Sequence, residues 1–216
     1  MSRARYHHGD LRTALIEAAE EIICETGMEG FTLRKAAGRA GVSPGAPSHH
    51  FGDMKGLLTA VAIRVFDRLG EALDILPQTD HPASDLRCLA KGYVRFAAEH
   101  PGFFRLICRV DLIDCRDPVF LEASYTALSP LTRAIAVYYG HQMPERFDRN
   151  GQSEDGPLLR PNHVSAMATV HGLAHMVLEG RPALVFETED PVRTFMETAL
   201  PDILAASWPD RETVSR

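Results

Sequence analysis

Apolar residues recur along most of this chain at the three- and four-residue spacing that places them on one side of an α-helix. The longest such run follows Lys55 and ends before Pro77. Its apolar positions are Leu57, Leu58, Val61, Ala62, Val65, Phe66, Leu69 and Leu73. Similar patterns cover about 10–27, 85–99, 103–113, 118–139, 163–180 and 191–207, and no strand-like alternation persists. We therefore predict an all-α fold of about nine helices.

The segment 32–55 has the pattern of two short helices joined by a glycine turn. Thr32 is a suitable N-cap for the first helix, and Gly41 stands where that helix must end. Ser43 is a preferred N-cap and Pro44 a preferred first helical residue, so a second helix is expected at once. Two helices joined in this way form a helix-turn-helix, whose second helix enters the major groove of DNA. The segment predicts binding to double-stranded DNA.

Pro47 disturbs the start of that second helix. If the helix begins at Pro44, Pro47 has no amide to donate to the Ser43 carbonyl, and its ring crowds that oxygen. The proline also disfavours the α conformation at Ala46. We predict that the recognition helix opens with a distorted or 3₁₀ turn.

The sequence AGVSPGAPSHHFGDMKGLL resembles the DNA-binding module of the TetR family of transcriptional regulators, whose pattern is roughly A-G-V-S-x-G-x-x-Y-x-H-F-x-x-K-x-x-L-L. The matching residues are Ala40, Gly41, Val42, Ser43, Gly45, His50, Phe51, Lys55, Leu57 and Leu58. Ser48 replaces a tyrosine that touches DNA phosphate in the family, so this contact is weakened, passes to His49 or is carried by water. The upstream run YHHGDLRTALIEAA resembles the opening of one branch of the family.

The helix-turn-helix and the resemblance together predict a set of DNA-binding residues. They are Thr32, Arg34, Ser43, Pro44, Gly45, Ala46, Ser48, His49, His50 and Lys55. Thr32, Ser43 and Lys55 are expected to contact phosphate, and Lys55 stands beside a helix N-terminus. His49 and its neighbours are expected to face the bases. Arg34 either contacts phosphate or belongs to a solvated helix face.

Charge is distributed unevenly along the chain. The formal net charge is −6, but residues 1–55 hold seven Lys/Arg and seven Asp/Glu, so all of the acidity lies in the remainder. With 216 residues, 45% of them hydrophobic, the chain can form one small and one larger domain. We predict a DNA-binding domain at 1–55, a linking helix at about 55–76, and a second helical domain at 77–216. Arg3 and Arg5 form a short basic arm that could reach the minor groove.

The resemblance implies a function for the larger domain. In TetR-like regulators this domain usually encloses a small-molecule pocket and supplies two long helices to a dimer interface. For this chain the resemblance implies a ligand-responsive regulator, most often a repressor that releases a palindromic operator when it binds its effector. It also implies a homodimer formed through the helices at about 118–139 and 163–180. The segment VHGLAHMVLEG resembles a Trp-His-Gly subtype of this domain, with Val170 in place of the tryptophan.

A set of mostly apolar residues with a few hydrogen-bonding groups could line such a pocket. The set is Tyr93, Phe96, His100, Phe103, Phe104, Ile107, Tyr125, Met167 and His171. Ordinary core packing is the alternative for each member, because aromatic residues at helical spacing commonly pack against neighbouring helices.

His171, His175 and Glu179 follow one another at four-residue intervals and could hold a divalent metal on one helix face. A metal sensor or an enzyme would follow from that interpretation. Gly172 occupies the place of the glutamate in the H-E-x-x-H motif. We favour close helix packing with hydrogen-bonded histidines at a dimer seam, and expect no metal and no cofactor.

No other motif in the sequence indicates an enzyme. The G-x-S-x-G, P-loop and G-x-G-x-x-G patterns of catalytic and nucleotide sites are absent from it. A helical module that binds protein partners remains as another alternative.

Cysteine spacing and hydropathy indicate the compartment. Cys24, Cys88, Cys108 and Cys115 form no C-x-x-C pair, so we expect free thiols in a reducing cytosol. The sequence has no apolar run of about 18 residues and no signal peptide, which predicts a cytoplasmic protein without a membrane segment. The polar stretch 141–162 is rich in helix breakers and is expected to be an exposed or partly disordered loop.

Overall fold

The computed structural model describes residues 8–76, 79–141, 152–153, 156–157 and 160–210, and this part of the chain confirms the all-α prediction. Eight helices are α1 His8–Thr26, α2 Leu33–Arg39, α3 Ala46–Phe51, α4 Met54–Asp74, α5 Pro82–Glu99, α6 Pro101–Ile107, α7 Pro118–Tyr139 and α8 Pro161–Leu178. A ninth, α9, covers 191–207, with α-helical parts at Pro191–Thr194 and Leu200–Ser207 on either side of a π turn at Phe195–Ala199. Arg3, Arg5 and most of the predicted loop 141–162 lie outside the described residues.

Two small features were not predicted. A 3₁₀ turn at Arg181–Leu184 follows α8. Two-residue strands, β1 Gln152–Ser153 and β2 Gly156–Pro157, pair antiparallel, with Gln152 opposite Pro157 and Ser153 opposite Gly156.

The predicted bounds of α7 and α9 agree with the structure, whereas the helix predicted at 103–113 is present but its predicted end is wrong. It ends at Ile107, and isolated turns follow, with Arg109 N donating to Leu106 O and Leu112 N to Arg109 O. Aspartates in the next segment compete for backbone amides, since Asp114 accepts from Arg116 N at 3.0 Å. Short polar side chains that bind their own backbone in this way favour turns over a continuing helix.

The chain forms two compact units. Unit 1 contains residues 1–68 and 100–126, and unit 2 contains 69–99 and 127–216. The functional division at 1–55, 55–76 and 77–216 stays a prediction.

The core of unit 1 is built from α1, the start of α4, α6 and the start of α7. Its buried apolar side chains include Leu15, Ala19, Ile22, Ile23, Leu57, Leu58, Val61, Phe104 and Phe120. Phe66 and Phe120 meet edge to face with ring centroids 5.5 Å apart. Gly102 lets α6 approach α1 closely, because a Cβ at this position would lie 2.6 Å from the Ile23 carbonyl oxygen.

One buried carboxylate joins α1 to α4 in unit 1. Glu20, only 7% exposed, accepts a 2.8 Å hydrogen bond at Oε2 from Arg68 Nη2. Arg64 Nε lies 3.1 Å from Oε1, but this contact is an ion pair without hydrogen-bond alignment. The Arg68 guanidinium also lies 5.1 Å from the centre of the Phe103 ring, where a cation–π attraction adds to the pairing. Because a buried carboxylate is costly without partners, the two arginines offset the cost of burying Glu20.

Unit 2 is organised around α5, which packs against α8 and the end of α9. Its buried side chains include Leu86, Leu89, Ala90, Val94, Ala97, Val170, Ala174, Val177, Leu200, Leu204 and Trp208. Arg87 Nη1 donates to the Trp208 carbonyl at 2.9 Å, and Tyr138 Oη donates to the Pro209 carbonyl at 3.1 Å. These bonds fasten the end of α9 to α5 and α7.

No helix in the described part of the chain combines the length and the apolar character needed to cross a bilayer.

Candidate functional site

The first helix of the helix-turn-helix, α2, begins and ends as its capping residues predict. Thr32 is the N-cap of α2, and its Oγ1 accepts a hydrogen bond from Lys35 N at 3.2 Å. After α2, Gly41 adopts φ +68°, Gly41 N donates to Gly38 O, and Val42 N donates to Ala37 O. These two bonds form a Schellman motif, which requires a left-handed residue at the position of Gly41.

The predicted start of the recognition helix at Pro44, with Ser43 as its N-cap, is wrong. α3 begins at Ala46, Gly45 occupies the N-cap position, and Pro47 is the second helical residue. Ala46 N donates to Ser43 O at 3.0 Å, which is the predicted 3₁₀-type opening, and the first α-type bond runs from His49 N to Gly45 O. Since proline is tolerated only in the first helical turn, Pro47 sets the start of α3 later than Pro44.

The predicted DNA-binding residues lie mainly on the outer surface of unit 1. Exposed members are Thr32, Arg34, Ser43, Pro44, Gly45, Ser48, His49 and Lys55, whereas Ala46 and His50 are half-buried. Pro47 is buried and points inward. One side of α3 and the turn before it are therefore open to a large partner.

A cleft of about 320 Å³ lies where α3 meets α4. Its charged lining residues are Arg12, Lys55, Asp53, Asp114 and Asp117, and the Arg12 guanidinium lies 5.1 Å from the centre of the Phe51 ring. Arg12 was missed in the sequence because it belongs to α1, outside the helix-turn-helix pattern.

The carboxylates of this cleft bind backbone amides. Asp53 Oδ1 accepts from Gly56 N at 2.9 Å at the start of α4, and Asp117 Oδ1 accepts from Val119 N at 2.8 Å at the start of α7. Helix N-termini offset part of the negative charge of these groups. Among the residues that line the cleft, the two cations, Arg12 and Lys55, are exposed.

Two other cations near the helix-turn-helix serve local structure. Arg39 Nη2 donates to Glu25 Oε2 at 2.6 Å, and this hydrogen bond lowers the pKa of Glu25. Lys35 Nζ donates to the Gly30 carbonyl at 2.7 Å. These contacts hold α2 against the end of α1.

The predicted pocket residues are divided between the two units. His100, Phe103, Phe104, Ile107 and Tyr125 belong to unit 1, where Phe103 and Phe104 are buried, Ile107 is half-buried, and His100 and Tyr125 are exposed. Tyr93, Phe96, Met167 and His171 belong to unit 2, on α5 and α8.

Three polar side chains form a chain of contacts in unit 2, which we name the Tyr93–His171–His175 triad. Tyr93 Oη lies 3.0 Å from His171 Nδ1, and His171 Nε2 lies 3.2 Å from His175 Nε2. Burial, with a smaller contribution from His175, lowers the pKa of His171. Glu179 does not continue this chain, because its exposed carboxylate pairs with Arg181 Nε at 3.0 Å.

Comparison with known proteins agrees with the fold and the helix-turn-helix. The chain is 42% identical over 84 residues to the HTH-type transcriptional regulator BetI of Serratia proteamaculans, and the match spans 38% of this chain and 42% of that protein. A protein with unknown function from Rhodococcus sp. RHA1 has a similar structure, with a TM-score of 0.65, 27% identity, and coverage of 95% of this chain and 99% of that chain. The TetR family transcriptional regulator PfmR from Thermus thermophilus shares the fold, with a TM-score of 0.57 at 17% identity over 91% of this chain and 99% of PfmR.

Family models cover both parts of the chain. Residues 15–61 match the model described as bacterial regulatory proteins of the tetR family. Residues 86–200, more than half of the chain, match the model described as the tetracyclin repressor-like C-terminal domain. The chain therefore belongs to the TetR family of transcriptional regulators.

Proposed function

We propose that the protein is a homodimeric repressor that binds a palindromic DNA operator and releases it on binding a small-molecule effector. The observation that carries this proposal is the helix-turn-helix of unit 1, in which the turn 43–45 and, on the recognition helix, Ser48 and His49 are exposed. Such a regulator acts on the chromosome and would therefore work in the cytoplasm.

The exposed residues divide into two roles. Lys55, the second residue of α4, is placed to contact phosphate, and Arg12 in the same cleft is a second phosphate-binding candidate. Ser48 and His49 on the exposed side of α3 are the candidates for base contacts. Ser43, Thr32 and Arg34 add neutral and charged donors around them.

The exposed side of α8 supports a dimer. Val164, Ala168, Gly172 and Met176 are all exposed and follow one another at four-residue intervals, so they form one stripe along the helix. The stripe is apolar and small at its centre, which suits close packing against the same helix of a second copy. α7, the other proposed dimer helix, carries the exposed Val137.

A dimer of this kind would place two recognition helices in successive major grooves, at half-sites about 34–36 Å apart or a multiple of that distance. α4 is the element that can transmit effector binding, since Met54 to Arg68 belongs to unit 1 and the remainder to unit 2. The effector can act only through its preference for the conformation that does not bind DNA, typically about 1–3 kcal/mol of coupling.

The experiment that tests this proposal is selection of bound fragments from genomic DNA, followed by affinity measurements on the selected operator over a range of salt concentrations. Lys55→Ala should weaken binding about equally on all sequences and lower the salt slope by about one unit, because one phosphate contact is lost. His49→Ala should instead change the preferred bases.

Lys91→Ala is a matched control, because Lys91 is also exposed but lies on α5 in unit 2. It should leave affinity and salt slope unchanged. Failure of the wild-type chain to select any DNA would refute the proposal. Addition of a panel of metabolites to the complex with the selected DNA would identify the effector as the compound that releases the DNA.

A further inference from the structure

The Tyr93–His171–His175 triad has a geometry that helix packing alone does not require. His171 and His175 lie one turn apart on α8, and their Nε2 atoms are 3.2 Å apart. The two rings are close, with centroids 4.7 Å apart, and tilted by 60°. Both residues are half-buried rather than open to solvent.

Although the sequence favoured hydrogen-bonded histidines without a metal, we propose that His171 and His175 form a binding site for a first-row transition-metal ion, with Tyr93 as a positioning residue. Imidazole nitrogen is a preferred ligand of zinc, nickel, cobalt and copper ions. The proposal does not depend on DNA binding or on the identity of the effector.

The distance between the two nitrogens suits a shared ion. With Nε2 atoms 3.2 Å apart, an ion about 2.0–2.1 Å from each would have an N–metal–N angle of about 100°. This angle lies between those of octahedral and tetrahedral coordination.

Tyr93 is placed to favour the tautomer of His171 that metal binding needs. A metal at Nε2 requires the proton on Nδ1, and Tyr93 Oη, 3.0 Å away, can accept the hydrogen bond from that N–H. Metal-bound histidines usually donate their second ring N–H to an oxygen in this way. In the metal-free pair, one Nε2–H donates a hydrogen bond to the other Nε2. Ion binding at both Nε2 atoms requires that single proton to be on Nδ1 of its own ring, so the pair loses no proton.

The two imidazole nitrogens of α8 are fewer than the four protein ligands of a closed structural zinc site, so we expect weaker binding than at such a site.

Titration of the untagged full-length chain, freed of metal by chelation, with Co²⁺ and separately with Zn²⁺ tests the proposal. Visible absorption follows cobalt and calorimetry follows zinc. We expect one equivalent to bind the wild type, and His171→Ala and His175→Ala to lose this binding at concentrations that saturate the wild type. Tyr93→Phe should bind about tenfold more weakly, because the partner of His171 Nδ1 is lost.

His163→Ala is the matched control, since His163 is another half-buried histidine on α8 but not a member of the triad. It should bind like the wild type. His175→Gln keeps a polar side chain and removes the imidazole, so it tests the ligand if His175→Ala fails to fold. No binding by the wild type, or undiminished binding by a folded His175 variant, would overturn the proposal.

Discussion

Pro47 shows how one residue changes the local structure of the recognition helix. Its missing amide and its restricted φ are properties of the residue itself, so the 3₁₀-type opening could be predicted from the sequence. The actual start of α3 could not be predicted, because Ser43 and Pro44 favour an earlier start as strongly as Pro47 favours a later one. The structure resolves this conflict in favour of Pro47, which needs a place in the first turn.

Thr32 contributes to stability through a single cap. Thr32→Ala removes the acceptor of the Lys35 amide and should cost about 1 kcal/mol of unfolding free energy. Urea titration measures this loss, and hydrogen exchange at Lys35 N should accelerate. Thr32→Ser retains the oxygen and should restore both values, whereas equal effects of the two changes would exclude capping as the cause.

At the scale of elements, helix existence was predictable wherever the apolar spacing was long and breakers marked its ends. α7 is an example, since Pro118 opens it and the positive φ of Gly140 follows its last residue. The end of α6 was not predictable from spacing, because apolar residues continue to Ile113 while the aspartates form turns. Contacts between elements were also not predictable from spacing, since Tyr93 and His171 are in contact although 78 residues separate them in the sequence.

The packing of α6 on α1 depends on Gly102. Gly102→Ala would place a methyl group 2.6 Å from the Ile23 backbone oxygen, which cannot rotate away as a flexible side chain could. We expect a loss of about 1–3 kcal/mol in unfolding free energy, the usual range for overpacking. Denaturant titration measures it.

Gly38→Ala serves as the comparison for Gly102. A Cβ at Gly38 meets no atom within 4 Å, and alanine favours helix, so this change in α2 should be neutral or stabilising by up to about 1 kcal/mol. Equal losses at both positions would show that packing against Ile23 is not the cause.

For the whole molecule, the sequence was sufficient for the fold class and the helix-turn-helix because both depend on local patterns. The candidate effector residues were chosen by residue type and spacing, which do not distinguish a pocket from a core. Phe104, for example, is fully buried in unit 1, whereas Tyr125 is 42% exposed. Arrangement in three dimensions, not composition, decides between these outcomes.

Dimer formation through α8 is testable by adding bulk to its exposed stripe. Apart from the backbone of its own helix and its chain neighbours, a Cβ at Gly172 meets no atom of the described residues within 4 Å, so Gly172→Leu should retain the fold. The side chain would obstruct a second copy of α8, and the dimer should dissociate at protein concentrations that keep the wild type dimeric. Sedimentation analysis measures this, with Lys91→Leu at an exposed position of α5 as the control. A Gly172→Leu dimer of unchanged affinity would exclude this face.

The pH dependence of stability should have an acid and an alkaline limit. Burial lowers the pKa of His163 and His171 from 6.5, so below pH 6.5 the unfolded chain binds protons that the folded histidines resist, and stability falls. Burial raises the pKa of Cys108 from 9.0 to about 11, so above pH 9 the unfolded thiol ionises first and stability falls again.

Urea midpoints measured from pH 5 to 11 would test both limits. Cys108→Ala should flatten the decline between pH 9 and 11, and His163→Gln should flatten part of the decline below pH 6.5. Unchanged slopes in these variants would assign the pH dependence to other groups.

The carboxylate of Glu20, which contacts two arginines of α4, limits how α4 can move within unit 1. Its contacts to Arg64 and Arg68, one turn apart, resist rotation of this part of α4 about its own axis unless α1 turns with it. A rotation of this part of α4 would therefore turn α1 with it. The helix-turn-helix would move together with these helices as one block and would not bend separately. Under the proposed function, effector binding would displace the two helix-turn-helix motifs of the dimer without changing their internal structure. Release of the operator would then depend on the distance between its half-sites more than on their bases.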